Sequence, residues 1–397
     1  MRNVVIVDGV RTAIGKMGGA LKDIEADTLS EVVMKEILSR TGIEGRDIDE
    51  VIWGHAKQSA DLPNLARLAA LKAEIPIEVP GYTVHRQCAS GLQAIANAVQ
   101  DIMCGDNEII LAGGAESMSN APYYLRNARY GYGAGNAEIV DSNTESQPRA
   151  QPINVYGHLT MGMTAENLAE KYHISREEQD EFAQESQEKA ASAISNGHFE
   201  EEITPVEIKK RKETIRFDRD EHPRLTSVEK LGQLKAVFKK DGTVTAGNAS
   251  GRNDGASALI VMSEEEANRR GLKPRLRFVS QASAGVSPEI MGIGPVPSTI
   301  KALKKAGLTL NDIDLIELNE AFAAQSLAVM KELKIDSKKL NVNGGAIALG
   351  HPIGGTGAIL MTKLMKEMER RGSRYGLVTL CIGGGQGQTV IVENLRI

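Results

Sequence analysis

Cysteine is scarce in this chain: three residues in 397, at positions 88, 104 and 381, with no Cys-x-x-Cys pair. Such spacing makes a poor disulfide framework, so a reducing, cytoplasmic location is expected. Aromatic residues are only 4% of the chain, which argues against platforms for stacked bases. Basic residues are not in excess either. The formal net charge is −5, which leaves no electrostatic footprint for nucleic acid. No run of about 18 apolar residues exists, so no membrane span is expected. The opening Met1-Arg2-Asn3-Val4-Val5-Ile6-Val7 reads as a first strand and lacks the features of a signal peptide. No histidine and cysteine spacing suits zinc, and no glycine run matches a strand-led Gly-x-Gly-x-x-Gly or a phosphate-binding Gly-x-x-x-x-Gly-Lys-Ser/Thr. Neither a metal nor a nucleotide cofactor is therefore expected.

What the chain does have is a soluble composition, with 41% hydrophobic and 25% charged residues, and length for two or three domains. Over the first 120 residues, short apolar strands alternate with helical periodicity. Val4–Val7, Val51–Gly54 and Glu108–Gly114 read as strands; 28–39, 65–73 and 91–103 read as helices. The pattern predicts α/β layers around a parallel or mixed sheet. From 121 to 249 the character changes, and the segment reads as an insertion. A capping sequence, Ser175 with Glu178, starts a helix there that runs to about Asn196. The charged run Lys209-Lys210-Arg211-Lys212-Glu213 reads as a solvated face or, alternatively, a phosphate contact. The α/β rhythm returns at about 250–270 and holds through 271–397. An internal repeat accompanies it: Gly42-Ile43-Glu44-Gly45-Arg46-Asp47-Ile48-Asp49 resembles Gly307-Leu308-Thr309-Leu310-Asn311-Asp312-Ile313-Asp314. Two halves related by a pseudo-twofold would bring Cys88 and His351 to equivalent helix N-termini.

Glycine is abundant, with 40 residues, and it surrounds the reactive side chains. Cys88 opens Cys88-Ala89-Ser90-Gly91-Leu92, just before a helical stretch. A helix N-terminus and a nearby imidazole would lower a thiol pKa and make it a nucleophile. His351, between Gly350 and Pro352, is the candidate general base, and His85 is the runner-up. Cys381 ends an apolar run and enters Ile382-Gly383-Gly384-Gly385-Gln386-Gly387. Those glycine N–H groups suit either an oxyanion hole or a tight turn. Asn319, at a strand end, can hold a water or donate to an oxyanion. Glu320 beside it can instead serve as a helix N-terminal charge. Cys104, without polar company, reads as a core or helix-end residue.

Taken together these stretches resemble the thiolase family. The matching segments are His85-Arg86-Gln87-Cys88-Ala89-Ser90-Gly91-Leu92-Gln93-Ala94, Gly113-Gly114-Ala115-Glu116-Ser117-Met118-Ser119, Gly247-Asn248-Ala249-Ser250-Gly251, Asn319-Glu320-Ala321-Phe322, Gly350-His351-Pro352 and Cys381-Ile382-Gly383-Gly384-Gly385-Gln386-Gly387. They span nearly the whole chain in the family's order. The resemblance implies a five-layered αβαβα fold from two similar halves, with a loop domain inserted in the first. It implies a dimer or, more often, a dimer of dimers.

It also implies roles. Cys88 would be the acylated nucleophile and His351 its activator. Cys381 would move the α-proton of acetyl-CoA. Asn319 would hold a water that, with His351, binds a thioester oxygen. The N–H groups of Cys88 and Gly383 would bind the acyl-enzyme oxygen. Ser250 would lie near the pantetheine arm, and Arg224 near the nucleotide end. Met161, Met291, Ala321 and Phe322 would shape the acyl pocket, or simply pack the core. The implied substrates are acetyl-CoA, acetoacetyl-CoA and CoA, with no separate cofactor. Some acetoacetyl-CoA-forming members carry a histidine just before Met-Gly-x-Thr-Ala-Glu; Thr160 stands there, with His158 two residues earlier. Arg86-Gln87-Cys88 looks closer to degradative members. Two acetyl-CoA condensing to acetoacetyl-CoA is the leading expectation. A thiolase for longer 3-ketoacyl-CoA is the nearest rival. A non-catalytic acyl-CoA carrier on the same fold is a rival of another class.

Overall fold

The computed structural model describes residues 2–397. The first half runs β1 (Val4–Thr12), α1 (Ala26–Thr41), β2 (Glu50–Gly54), α2 (Leu65–Lys72), β3 (Gly81–Val84), α3 (Ser90–Cys104) and β4 (Ile109–Ser117). A long segment follows, which includes α4 (Met161–Lys171) and α5 (Arg176–Ser195), before β5 (Asn253–Ser263) returns to the sheet. The second half runs β6 (Leu276–Gly285), α6 (Pro295–Ala306), β7 (Leu315–Leu318), α7 (Ala323–Leu333), α8 (Thr356–Arg371), β8 (Tyr375–Ile382) and β9 (Gln386–Asn394).

The strands lie in the order β3-β2-β4-β5-β1-β6-β9-β8-β7. Only Val5 opposite Arg277 and Ile6 opposite Leu276 join β1 to β6. Outward from that join the halves repeat. β5 and β9 are antiparallel to their neighbours on both sides, while β2 and β7 run parallel to β4 and β8. Where the first half adds β3, the second has one parallel bridge, Ile316 to Leu340. The repeat extends to side chains. The Asp49 carboxylate accepts the N–H groups of Glu108 and Ile109, and Asp314 accepts those of Arg374 and Tyr375.

Strand alternation sorts the side chains into layers, because successive residues face opposite sides of a sheet. Val5, Val51 and Leu111 pack outward with Leu29, Val33 and Ile37 of α1. Their neighbours Val4, Ile52 and Ile110 pack inward with Ile95 and Val99 of α3 and Met361 and Met365 of α8. Val378 and Val390 reach the same central layer from the second half, while Leu377 and Ile391 face out to Ala302 and Val329 on α6 and α7. The result is helix, sheet, helix pair, sheet, helix: five layers. Each fully buried aliphatic side chain contributes roughly 2 kcal/mol.

Helices α3 and α8 meet by backbone contact. A Cβ on Gly91 would stand 3.1 Å from the N of Ala358, and one on Gly357 would stand 2.4 Å from the N of Leu92. The reciprocal pattern makes Gly91 and Gly357 the equivalent positions of the repeat. Cys88 lies three residues before its glycine and His351 six before its own. The two are therefore not strict equivalents, as the repeat had suggested; they face each other across the crossing.

Within the intervening segment, Ser175 and Glu178 form the expected capping box on α5. The run 209–213 turns between strands Val206–Lys209 and Thr214–Phe217 and is exposed throughout, so it is a solvated face. Cys104 is exposed at the end of α3. No helix is long and apolar enough to cross a membrane among the described residues.

Replacing Gly357 by Ala should force α3 and α8 apart. We expect a loss of ~2 kcal/mol or more of stability, read as a lower denaturation midpoint. Gly372→Ala, at a site with open space around its Cβ position, provides the contrast for conformational strain alone.

Candidate active site

A cavity of about 200 Å³ opens where the two halves meet, and both Cys88 and His351 line it. Cys88 is half-buried just before α3, and Gln87 before it takes a left-handed φ of 47°. Burial pushes the Cys88 thiol up; the Gly383 N–H and the charge of Lys57 work against that but do not overcome it. The lowered thiol pKa expected from the helix N-terminus is thus overturned. Desolvation of a thiolate outweighs the few N–H dipoles that face it.

His351 is held at three points. Its N–H donates to Asn253 Oδ1 at 2.9 Å. Its Nδ1 lies 2.7 Å from Thr356 Oγ1, whose own hydrogen goes to the Pro352 carbonyl at 2.8 Å. Thr356 therefore accepts from Nδ1–H, and Nε2 keeps its lone pair. Asn319 Nδ2 approaches that Nε2 at 3.5 Å. Burial pushes the imidazole down to about 4, so it is neutral at pH 7 with its Nε2 lone pair unprotonated. Asn319 is fully buried, yet its Oδ1 has no partner.

Cys381 is fully buried at the end of β8, and burial pushes its thiol up. It belongs to an apolar cluster with Met291, Ala321 and Phe322. Those three, together with Met161, Ser250 and Gly383, also line the cavity. Phe238 packs edge-on against Phe322, with ring centroids 6.2 Å apart. Thr160, where some family members carry histidine, caps α4 by accepting the Met163 N–H. Arg224 is exposed and lies off the cavity wall. Glu320 is buried beneath the loops and accepts from Ser186, Asn341 and the N–H of Ile347. It caps the short helix at Ala346–Leu349 and not its own.

Several supporting residues had no individual signal in the sequence. Asn253 and Thr356 hold His351. Buried Glu116 accepts the N–H groups of Ala56, Lys57 and Gly354, and lies 3.0 Å from His55 Nδ1. Burial alone would raise the Glu116 carboxyl; His55 and the N–H donors outweigh it and hold it below the usual carboxylate range. Lys57 itself lines the cavity. Thr356 and Glu116 stand inside glycine-rich and family-like stretches, but a hydroxyl or a carboxylate there carries no mark of its partner.

A thiol and an oriented imidazole on the cavity, with a buried amide and a second thiol behind them, make a set whose chemistry suits acyl transfer. The "Thiolase, N-terminal domain" model matches residues 4–265, and the "Thiolase, C-terminal domain" model matches 272–394. The chain belongs to the thiolase family. It is 51% identical to the acetyl-CoA acetyltransferase of Syntrophomonas wolfei, over 99% of this chain and all of that protein. The crystal structure of the Bacillus anthracis acetyl-CoA acetyltransferase superposes with a TM-score of 0.97 at 49% identity, covering 100% of this chain and 99% of the other. Human mitochondrial 3-ketoacyl-CoA thiolase in complex with CoA gives 0.94 at 47% identity, covering 99% and 98%.

Two outcomes follow from the histidine's setting. His351 and His222 both have folded-state values near 4, below the ordinary 6.5, so the unfolded chain binds more protons between those values. Their contribution to stability is present above about 6.5 and declines as pH falls toward 4. Denaturant titrations should show that slope, and His351→Gln should flatten it. Thr356→Val should free the Nδ1 tautomer. We expect iodoacetamide alkylation of Cys88 at neutral pH to slow on the order of tenfold, with the circular-dichroism spectrum unchanged.

Proposed function

We propose that this thiolase interconverts two acetyl-CoA with acetoacetyl-CoA and free CoA through an acyl-Cys88 intermediate. The observation that carries the reading is the placing of Cys88 and His351 on one cavity, with Cys381 in the apolar cluster that forms its wall. In thiolysis, His351 Nε2 takes the Cys88 proton and the thiolate attacks the 3-keto carbon. The bond between the α and β carbons breaks. Cys381, kept protonated by burial, gives its proton to the α-carbon, and acetyl-CoA leaves. A CoA thiol then attacks the thioester on Cys88. Cys381, left as the thiolate, accepts the CoA proton; His351 returns its proton to the departing Cys88 sulfur, and the second acetyl-CoA is released.

The Gly383 N–H, directed at the Cys88 sulfur, supports an oxyanion role once an acyl group stands there. The unpartnered Asn319 Oδ1 supports a role in fixing a water beside Nε2. Ser250, on the same cavity, suits the pantetheine arm, and exposed Arg224 suits the far nucleotide end. Met161, Met291, Ala321 and Phe322 close the apolar side, which favours a short acyl group. CoA thioesters are the substrates, and no cofactor enters the cycle. For the assembly we propose a dimer of dimers. The exposed Tyr123, Leu125 and Ile139 of one small hairpin support association through that face.

Mass spectrometry after mixing with acetyl-CoA should find one acetyl group on Cys88, and none in Cys88→Ala. Cys381→Ala should still acylate but condense at least 10²-fold more slowly. An unlabelled Cys88 would overturn the reading. Thiolysis that rises strongly from four to ten acyl carbons would favour the longer-chain activity instead.

A further inference from the structure

Glu116 lies where the loops behind Cys88 and His351 touch. It is the penultimate residue of β4 and has no exposed surface. Oε2 accepts the N–H of Gly354 at 2.9 Å and that of Ala56 at 3.1 Å. Oε1 accepts the N–H of Lys57 at 3.1 Å and stands 3.0 Å from His55 Nδ1. Its other titratable neighbours are Lys57 on the same turn, His85 before α3 and Asp254 on β5.

Each contact leads toward one of the two reacting groups. Gly354 belongs to the turn that runs from His351 to Thr356, whose hydroxyl sets the free imidazole nitrogen. A Cβ on Gly354 would lie 2.7 Å from the Ala115 carbonyl and 3.0 Å from Glu116 Oε2, so the turn is pressed directly onto β4. On the other side, the His55 N–H donates to the Val84 carbonyl at 3.0 Å. Val84 ends β3, and the chain runs from there into Cys88. Gly54, next to His55, packs on the backbone of Ser90 and Gly91 in the first turn of α3. The charge of Glu116 reaches further than its contacts. Burial pushes the His351 imidazole down, and Glu116 is the charge that pushes back. Burial also raises the Cys88 thiol; Lys57 lowers it, and Glu116 adds a smaller rise.

We propose that Glu116 is a positioning residue for the passage of the Cys88 proton to His351: its carboxylate keeps the two loops in register and serves as counter-charge to the imidazolium. The inference rests on the thiolase reading and adds a residue to its proton transfer. The proton leaves Sγ of Cys88, stays on Nε2 of His351 while the acyl group is held, and returns to the sulfur on release. Glu116 neither gains nor loses a proton. Its charge is in place before the imidazolium forms, so no reorganisation is needed when the proton moves.

The test compares Glu116→Gln and Glu116→Asp with wild type in acetoacetyl-CoA thiolysis and in iodoacetamide alkylation of Cys88. Alkylation is followed upward from about pH 7, above Asp254, whose carboxyl burial pushes up to about 6. We expect Glu116→Gln to lower kcat about a hundredfold while KM moves less than about threefold. Its alkylation should slow about tenfold near pH 7 and approach wild type as pH rises, because the thiol then ionises without the imidazole. Glu116→Asp keeps the charge with a shorter reach and should recover part of both losses. A Glu116→Gln kcat within about threefold of wild type overturns the proposal, as does a loss expressed in KM. Slowing by one factor at every pH also overturns it, since that assigns Glu116 to folding alone. Should Glu116→Gln not fold, Glu116→Asp carries the same test: kcat about tenfold down with pH-dependent slowing is expected, and an unchanged kcat or uniform slowing overturns. Failure of the thiolase reading itself is separate: wild type would not cleave acetoacetyl-CoA, and Cys88 would not acylate.

Discussion

Helices α3 and α8 touch through their first turns, with glycine on each side admitting the other's backbone. Nearly everything functional hangs on this crossing. Cys88 precedes one helix and His351 the other, so the distance between the halves at Gly91 and Gly357 sets the distance between the thiol and the imidazole. A side chain at either glycine would spread the helices and move the two groups apart. The crossing is also the centre of the fold, because the inner faces of both halves of the sheet pack against this helix pair.

Burial governs the electrostatics of the site. It keeps His351 neutral and raises both Cys88 and Cys381. These directions set the resting protonation states, with the imidazole unprotonated and both thiols protonated. His351 arrives able to accept a proton, with Thr356 fixing which nitrogen is free, and Cys381 arrives holding one. For the nucleophile the direction is opposite to what a helix terminus alone implies. The thiolate must be generated by its neighbour rather than stand ready, which makes the imidazole's orientation decisive. Glu116 carries the largest structural duty behind this surface, since its carboxylate holds the turns at Ala56–Lys57 and Gly354 together.

The sequence pattern by itself determined α/β layering; the number of layers, five, came only with the thiolase resemblance. Short continuous apolar strands alternating with helical periodicity leave few solutions besides a sheet covered on both faces, and the repeat at 42–49 and 307–314 marked the two halves. Local rules reached the capping box at Ser175, the exposed turn at 209–213 and the glycine setting of Cys88, His351 and Cys381, since all of these are written within a few residues. What only the tertiary structure decided is whatever depends on partners far apart in the chain. Asn253 meets His351 across 98 positions, and Glu116 meets Gly354 across 238. The offset that makes Cys88 and His351 opposed rather than equivalent comes from how two glycines interlock. The direction of the Cys88 shift comes from its depth. Lys57 lay unremarked in the sequence for the same reason: a lysine is ordinary until folding takes it out of water.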